Sequence, residues 1–290
     1  MPERFVLLFV LAILVATSTD INKASCPTSC SCTPRIKGIV QVLTVDCHGG
    51  GHIDRELLSK QLDSLLSSNQ TYGHLTQLSI INSPLAHVPR SVCRLTTLTQ
   101  LHLDNNRLTR LPDNCLTNLT ALASLFASRN NITELQDGLF DGLGKLQMLQ
   151  LSYNQISSIG LRVFNGSAML TSLNDTDLSH NILMALEPWI YYIGEKGPDK
   201  GTAQLNLGYN NISVFTNMMG WKAKCGMPQL HTYLRLDGNP IRHLSDVLNG
   251  WNVSLTTFFC LSPFLQWHNF HITYIMSIWN AIASISDFSK

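Results

Sequence analysis

The sequence predicts an α/β fold: a curved solenoid, or horseshoe, with a parallel sheet on its concave face and irregular or short-helical segments on its convex side. Three observations predict it. A unit of the form L-x-x-L-x-L-x-x-N-x-L recurs along the chain, and an Asn or Ser stands at the same slot of every copy. The slots are separated by 23, 24, 24, 27, 29 and 29 residues, the period of stacked repeats. A chain of 290 residues is long for one compact core but ordinary for units that pack only on their neighbours.

The first element is a leader. Arg4 precedes an unbroken apolar run from Phe5 to Ala16, twelve residues where a membrane span needs about 20. That length, with small residues at Ala16 and Ser18, predicts a cleaved signal peptide over residues 1–18. The eight cysteines agree with an oxidising compartment. Cys26, Cys30, Cys32 and Cys47 cluster after the leader, and four thiols allow three pairings. Zinc is disfavoured, because a signal peptide takes these thiols away from reducing conditions. Cys93 with Cys115, in neighbouring units, and Cys225 with Cys260 are candidate bridges. Next, Leu58, Leu62, Leu65 and Leu66 fall on one helical face, so residues 54–74 read as a helical linker.

Seven units occupy residues 75–246. Residues 98–108 read LTQLHLDNNRL, 122–132 read LASLFASRNNI and 146–156 read LQMLQLSYNQI. Looser copies lie at 75–85, 173–183, 202–212 and 231–241. The slot is filled by Ser83, Asn106, Asn130, Asn154, Asn181, Asn210 and Asn239. The L-x-L core alternates with period two, which makes it a short strand with its leucines inward. The Asn ends that strand inside the stack, where its amide donates to and accepts from backbone groups of adjacent turns. Leu111, Leu135, Ile159, Leu186 and Phe140 or Phe164 close the core from the convex side. One L-x-x-L would suit an amphipathic helix, but seven copies in one register do not. Residues 194–201, polar and punctuated by Gly and Pro, form a loop within a long unit.

These units resemble the leucine-rich-repeat family, in its typical extracellular subclass of about 24 residues. The segment Cys26-Pro27-x-x-Cys30-x-Cys32, closed by Val45-Asp46-Cys47, resembles that family's cysteine-rich N-terminal cap, assigned here to residues 26–53. The resemblance implies bonds Cys26–Cys32 and Cys30–Cys47. A cap would cover the apolar end and strand edge that a first repeat otherwise exposes. The C-terminal end departs from the family. Asn239-Pro240 is present, but the cysteines of a second cap do not follow it. Residues 247–290 form a tail whose first forty residues lack Asp, Glu, Lys and Arg. Three readings of it stay open: a capping helix, a weak membrane anchor, or a truncated end.

Chemistry finds little support. The run His48-Gly49-Gly50-Gly51 matches an oxyanion motif, but no G-x-S-x-G elbow accompanies it. His268-x-x-His271 lacks a third ligand nearby. No phosphate-cradling loop of the Walker type occurs, so the sequence predicts no enzyme, metal or cofactor. A net charge of +1 without basic runs argues against a nucleic-acid partner.

Strand alternation instead exposes a binding face. Its middle column reads Ser79, His102, Phe126, Gln150, Asp177, Asn206 and Arg235. The column nearest the Asn slot reads Asn82, Asn105, Arg129, Tyr153, His180, Tyr209 and Gly238, and between them lie Ile81, Asp104, Ser128, Ser152, Ser179, Gly208 and Asp237. Gln77, Gln100, Ser124, Met148, Asp175, Gln204 and Tyr233 form the remaining column. The ligand-binding candidates are His102, Asp104, Phe126, Arg129, Gln150, Tyr153, Asp177, His180, Tyr209, Tyr233 and Arg235, aromatic and Arg groups among small polar ones. Phe126 is the strongest, as an exposed Phe on a strand. Seven N-x-S/T sequons stand at Asn69, Asn118, Asn131, Asn165, Asn174, Asn211 and Asn252. Glycans there would hydrate a surface whose charged fraction, 13%, is about half the usual value. The expectation is a secreted or cell-surface recognition or adhesion module that binds a protein or glycan. The alternative is a structural matrix protein acting by self-association.

Overall fold

A sheet of nine strands carries the molecule, and its strand order follows the chain turn by turn. The computed structural model describes residues 26–28, 30–37, 40–46, 55–67, 75–164, 172–187, 189, 193, 203–215 and 232–240. The leader, Cys47, the 48–51 run, Asn69, Asn165, the 194–201 loop, Cys225, Asn252, Cys260, His268, His271 and the tail lie outside these residues.

At the N-terminal end β1 (Ser31–Lys37) and β2 (Val40–Asp46) form an antiparallel hairpin. Cys26 is bonded to Cys32, and Cys30 is also disulfide-bonded. β2 then pairs in parallel with β3 (Leu75–Ile81), so the hairpin covers the edge that β3 would otherwise present. Between them α1 (Arg55–Ser67) buries Leu58, Leu62, Leu65 and Leu66. Asp63 Oδ1 on this helix accepts hydrogen bonds from the backbone N and Oγ of Ser91, at 2.8 and 2.7 Å. That carboxylate fastens α1 to the 3-10 turn Arg90–Arg94 of the first repeat.

Beyond β3 the sheet continues in parallel through β4 (Gln100–His102), β5 (Ser124–Phe126), β7 (Met148–Gln150), β9 (Asp175–Asp177), β11 (Ala203–Asn206) and β13 (Thr232–Arg235). In β4, β5, β7 and β9 the middle residue, leucine in the first three and Thr176 in β9, is buried and its neighbours half-buried, as strand alternation requires. The chain returns through two small parallel pairs, β6 (Glu134–Leu135) with β8 (Ser158–Ile159) and β10 (Ala185–Leu186) with β12 (Val214–Phe215). On the far side buried rings of Phe140, Phe164 and Trp189 follow one another at 6.0 and 5.9 Å. A Cys93–Cys115 disulfide ties the 3-10 turn to α2 (Asp113–Leu116).

The slot asparagines join turn to turn. Asn154 Nδ2 donates to Ala127 O of the preceding turn at 3.0 Å and to Leu151 O of its own at 3.0 Å, while its Oδ1 accepts from Ile132 N. Asn130, Asn181, Asn210 and Asn239 repeat this pattern of bonds. Asn106 makes the donor half only, to Ile80 O and Leu103 O, and its buried Oδ1 has no partner. The turn before it carries Ser83 in the slot, and Ser83 Oγ donates locally to Ile81 O.

Thr176 breaks the core pattern. It is fully buried at the position held elsewhere by Leu78, Leu101, Leu125, Leu149 and Leu205, and its hydroxyl has no partner.

Two substitutions separate these effects. Asn154→Ala removes three buried bonds and leaves their backbone partners unpaired, so denaturant unfolding should register a loss of about 2–4 kcal/mol. Thr176→Val replaces an unpaired hydroxyl by a methyl and should gain about 1 kcal/mol. The second measurement requires chain made without glycans, because Thr176 completes the Asn174 sequon.

Candidate functional site

The chain must turn sharply at the end of each concave strand to bring the slot Asn inward. It does so on the residue just before the Asn. Asn82, Asn105, Arg129, Tyr153, His180 and Tyr209 all have φ between 52° and 56°, and Gly238 has φ 71°. These residues are therefore turn residues rather than strand residues, which corrects the four-position strands expected from alternation. Ser179 and Gly208, counted as outward, are buried.

The turn fixes the direction of the side chains. Arg129 N donates to Ser152 O at 2.9 Å, Tyr153 N to Ser179 O at 3.0 Å and His180 N to Gly208 O at 3.0 Å. Identical backbones in register project planar side chains in parallel, and strands about 4.8 Å apart put rings at stacking distance. Tyr153 and His180 stack at 4.1 Å with an interplanar angle of 8°, and His180 and Tyr209 at 4.5 Å and 4°. The Arg129 guanidinium lies 4.6 Å from the Tyr153 ring centre, closing one end. The other end lies against Gly238, where a Cβ would come within 2.6 Å of Tyr209 Cδ1. Stacking covers the ring faces, yet Tyr153 and Tyr209 remain 45% and 54% exposed, so the stack offers its edges and polar tips to solvent.

A second stack lies in the middle column of the concave face. His102 and Phe126 are 4.2 Å apart at 4°. Phe126, expected to be exposed, is half-buried. Asp104 Oδ1 accepts from Ser128 N at 2.9 Å, and its Oδ2 lies 4.0 Å from His102 Nδ1. Burial lowers the His102 pKa, with the Asp104 charge acting in the other sense. Burial raises that of Asp104, against the Ser128 bond and the His102 charge.

Further along the sheet a cavity of about 280 Å³ is lined by Gln150, Asp175, Asp177, Gln204, Leu205, Asn206 and Arg235. Gln150 Nε2 donates to Asp175 Oδ2 at 3.2 Å, and Asp177 Oδ1 accepts from Ser179 N at 2.9 Å. Burial, then repulsion from Asp177, raises the Asp175 pKa. Exposed Arg235 is held by Asp237 at 3.3 Å. Asp175, Gln204 and Asn206 are not among the ranked candidates, although Asp175-Thr176-Asp177 signals two carboxylates on one face of a strand. The Tyr233 side chain lies outside the described residues.

Among the described residues no group of three or more His, Cys, Asp or Glu converges for a metal, and no helix is long and apolar enough to cross a membrane. The sequon residues Asn118, Asn131, Asn174 and Asn211 are exposed.

The His102 environment has a pH consequence. Its folded pKa is depressed, so the unfolded chain takes up the proton first as pH falls through the ordinary imidazole range, and stability drops there. Asp104 and Asp175, whose pKa values are raised, act oppositely at lower pH, where the folded chain binds protons first. Between about pH 7 and about pH 5 the melting temperature should fall, and His102→Gln should flatten that fall in a calorimetric series.

A family model described as leucine rich repeat matches residues 73–132 and 122–183. Among solved structures, the leucine-rich repeat domain of APL1B has a TM-score of 0.48 and 21% identity, over 83% of this chain and 55% of that one. The LRIM1/APL1C complex has a TM-score of 0.44 and 21% identity, over 63% of this chain and 30% of that one. The chain thus spans about half the length of the first and under a third of the second. No curated protein matches it. The match assigns the repeats within residues 73–183 to the leucine-rich-repeat type, and with the parallel sheet and the Asn ladder the fold is a leucine-rich-repeat solenoid.

Proposed function

We propose that the chain is an extracellular recognition module that binds a protein ligand, or its glycans, on the concave face and the rim beside it. The leader-like N-terminus, the disulfides and the exposed sequons support the compartment.

One observation carries the reading. Four residues that are neither Gly nor Asn, namely Arg129, Tyr153, His180 and Tyr209, hold left-handed backbone in consecutive turns. That conformation costs roughly 1–2 kcal/mol for an ordinary side chain. A ring pair returns about 0.5–1.5 kcal/mol, so stacking alone leaves little surplus. The polar-tipped edges, with the His102–Phe126 pair and the polar cavity nearby, have the composition of a recognition surface.

Asn tolerates the left-handed turn, which gives a clean test. The double substitution Tyr153→Asn with Tyr209→Asn should keep or raise the melting temperature. Against a panel of secreted and cell-surface ectodomains, a ligand captured by the native chain should lose about tenfold or more in affinity for the variant. Captured ligands that bind the folded variant as tightly would overturn the assignment of the rim.

A further inference from the structure

Among the described residues, a flank of the solenoid carries an exposed apolar pair, with Val214, 49% exposed, on the next turn. Ile182 and Met184 follow the slot Asn181 and are 47% and 61% exposed, while Leu183 between them is buried. The equivalent positions of the preceding turn are Gln155 and Ser157, both exposed and polar. Those of the following turn are Asn211 and Ser213, the first and third residues of the sequon Asn211-Ile212-Ser213.

The register between the turns of Asn181 and Asn210 is continuous. Asn211 N donates to Leu183 O at 2.9 Å, Ser213 N to Met184 O at 3.0 Å, and Ala185 pairs with Val214. Asn210 and Ile212 are buried while Asn211 and Ser213 are exposed, so the sequon faces the same way as Ile182 and Met184, about one strand spacing away.

We propose that Asn211 carries an N-linked glycan whose first sugar lies over Ile182 and Met184 and shields them from water. In the attachment, the Asn211 amide nitrogen loses a proton to the transferase base and bonds C1 of the sugar. The C1–phosphate bond of a lipid-pyrophosphate-linked oligosaccharide breaks, and the lipid pyrophosphate leaves. A pyranose suits this seat, because its ring carries apolar C–H groups on its faces and hydroxyls on its rim. The covering sugar turns an apolar patch into a hydrated one, on a chain with only 13% charged residues. A protein partner is a poorer occupant, since the glycan would stand in its path. The proposal rests on the extracellular reading above, because the transferase acts only on chains entering the secretory pathway.

Met184 reports its own coverage through conversion to the sulfoxide. The full chain is expressed in a glycosylating host, and glycan occupancy at each sequon is read by peptide mass spectrometry. It is then exposed to limiting peroxide beside Asn211→Gln and Ser213→Ala. The expected result is occupancy at Asn211 and Met184 oxidation several-fold faster in both variants, with Met148 unchanged as the internal control. Occupancy at Asn118 and Asn131 with a bare Asn211 overturns this proposal and leaves the extracellular reading standing. Bare sequons throughout overturn both. An occupied Asn211 whose loss leaves Met184 oxidation unchanged overturns the shielding.

Discussion

The side-chain amide of the slot asparagine is the interaction on which the rest of this structure depends. A solenoid turn leaves backbone N–H and carbonyl groups facing its own interior, where no water reaches them. The amide carries a donor and an acceptor on one short arm. It bonds carbonyls on two turns and receives an N–H from the earlier one, as Asn154 does with Ala127, Leu151 and Ile132. Each such bond contributes modestly, but leaving its partners unmade costs more, which makes the slot intolerant. The ladder also keeps successive turns in register where repeat length varies, since slots 27 and 29 residues apart make the same bonds as those 24 apart.

Register is what makes the recognition rim. The residue before each Asn adopts left-handed backbone because the strand must end and the amide must enter. Its side chain then leaves the solenoid in the same direction every time. Where that residue is Asn82 or Asn105, the turn is easily made and adds no ring to the column. Where it is Arg129, Tyr153, His180 and Tyr209, the same geometry produces a guanidinium-capped aromatic column. Gly238 ends the column and gives Tyr209 its space.

Much of this was legible in the sequence. The alternating leucines and the recurrent Asn specify the parallel sheet and the ladder, and Leu58, Leu62, Leu65 and Leu66 mark the face on which α1 packs. Arg129, Tyr153, His180 and Tyr209 could be placed in one column from spacing alone. Their stacking was not legible, because a period-two reading treats them as strand residues and hides the turn. The exposure of Phe126 was misjudged for a related reason: His102, one turn earlier, covers it with its ring, and contacts across turns are invisible to a pattern read along one turn. The β1–β2 hairpin was missed because the cysteine spacing of the cap says which residues are tied, not that the chain between them is extended. The polar cavity needed strands β7, β9, β11 and β13 side by side before its carboxylates and carboxamides met.

Thr176 shows two local rules competing at one position. The repeat asks for an aliphatic side chain there, and the six other turns supply leucine. The tripeptide Asn174-Asp175-Thr176 asks for a hydroxyl at the same place if Asn174 is to accept a sugar. Threonine is the residue that comes nearest to meeting both demands. Its branched Cβ suits a strand and its volume approaches that of valine, so the loss is confined to one unpaired hydroxyl and some packing. A leucine would satisfy the core and end the sequon; a serine would keep the sequon and leave a larger void. Deviations from a consistent pattern concentrate where a second requirement acts. In this chain Thr176 and the Ile182–Met184 pair are two such deviations, close together between residues 174 and 184 and beside the carboxylates of the polar cavity.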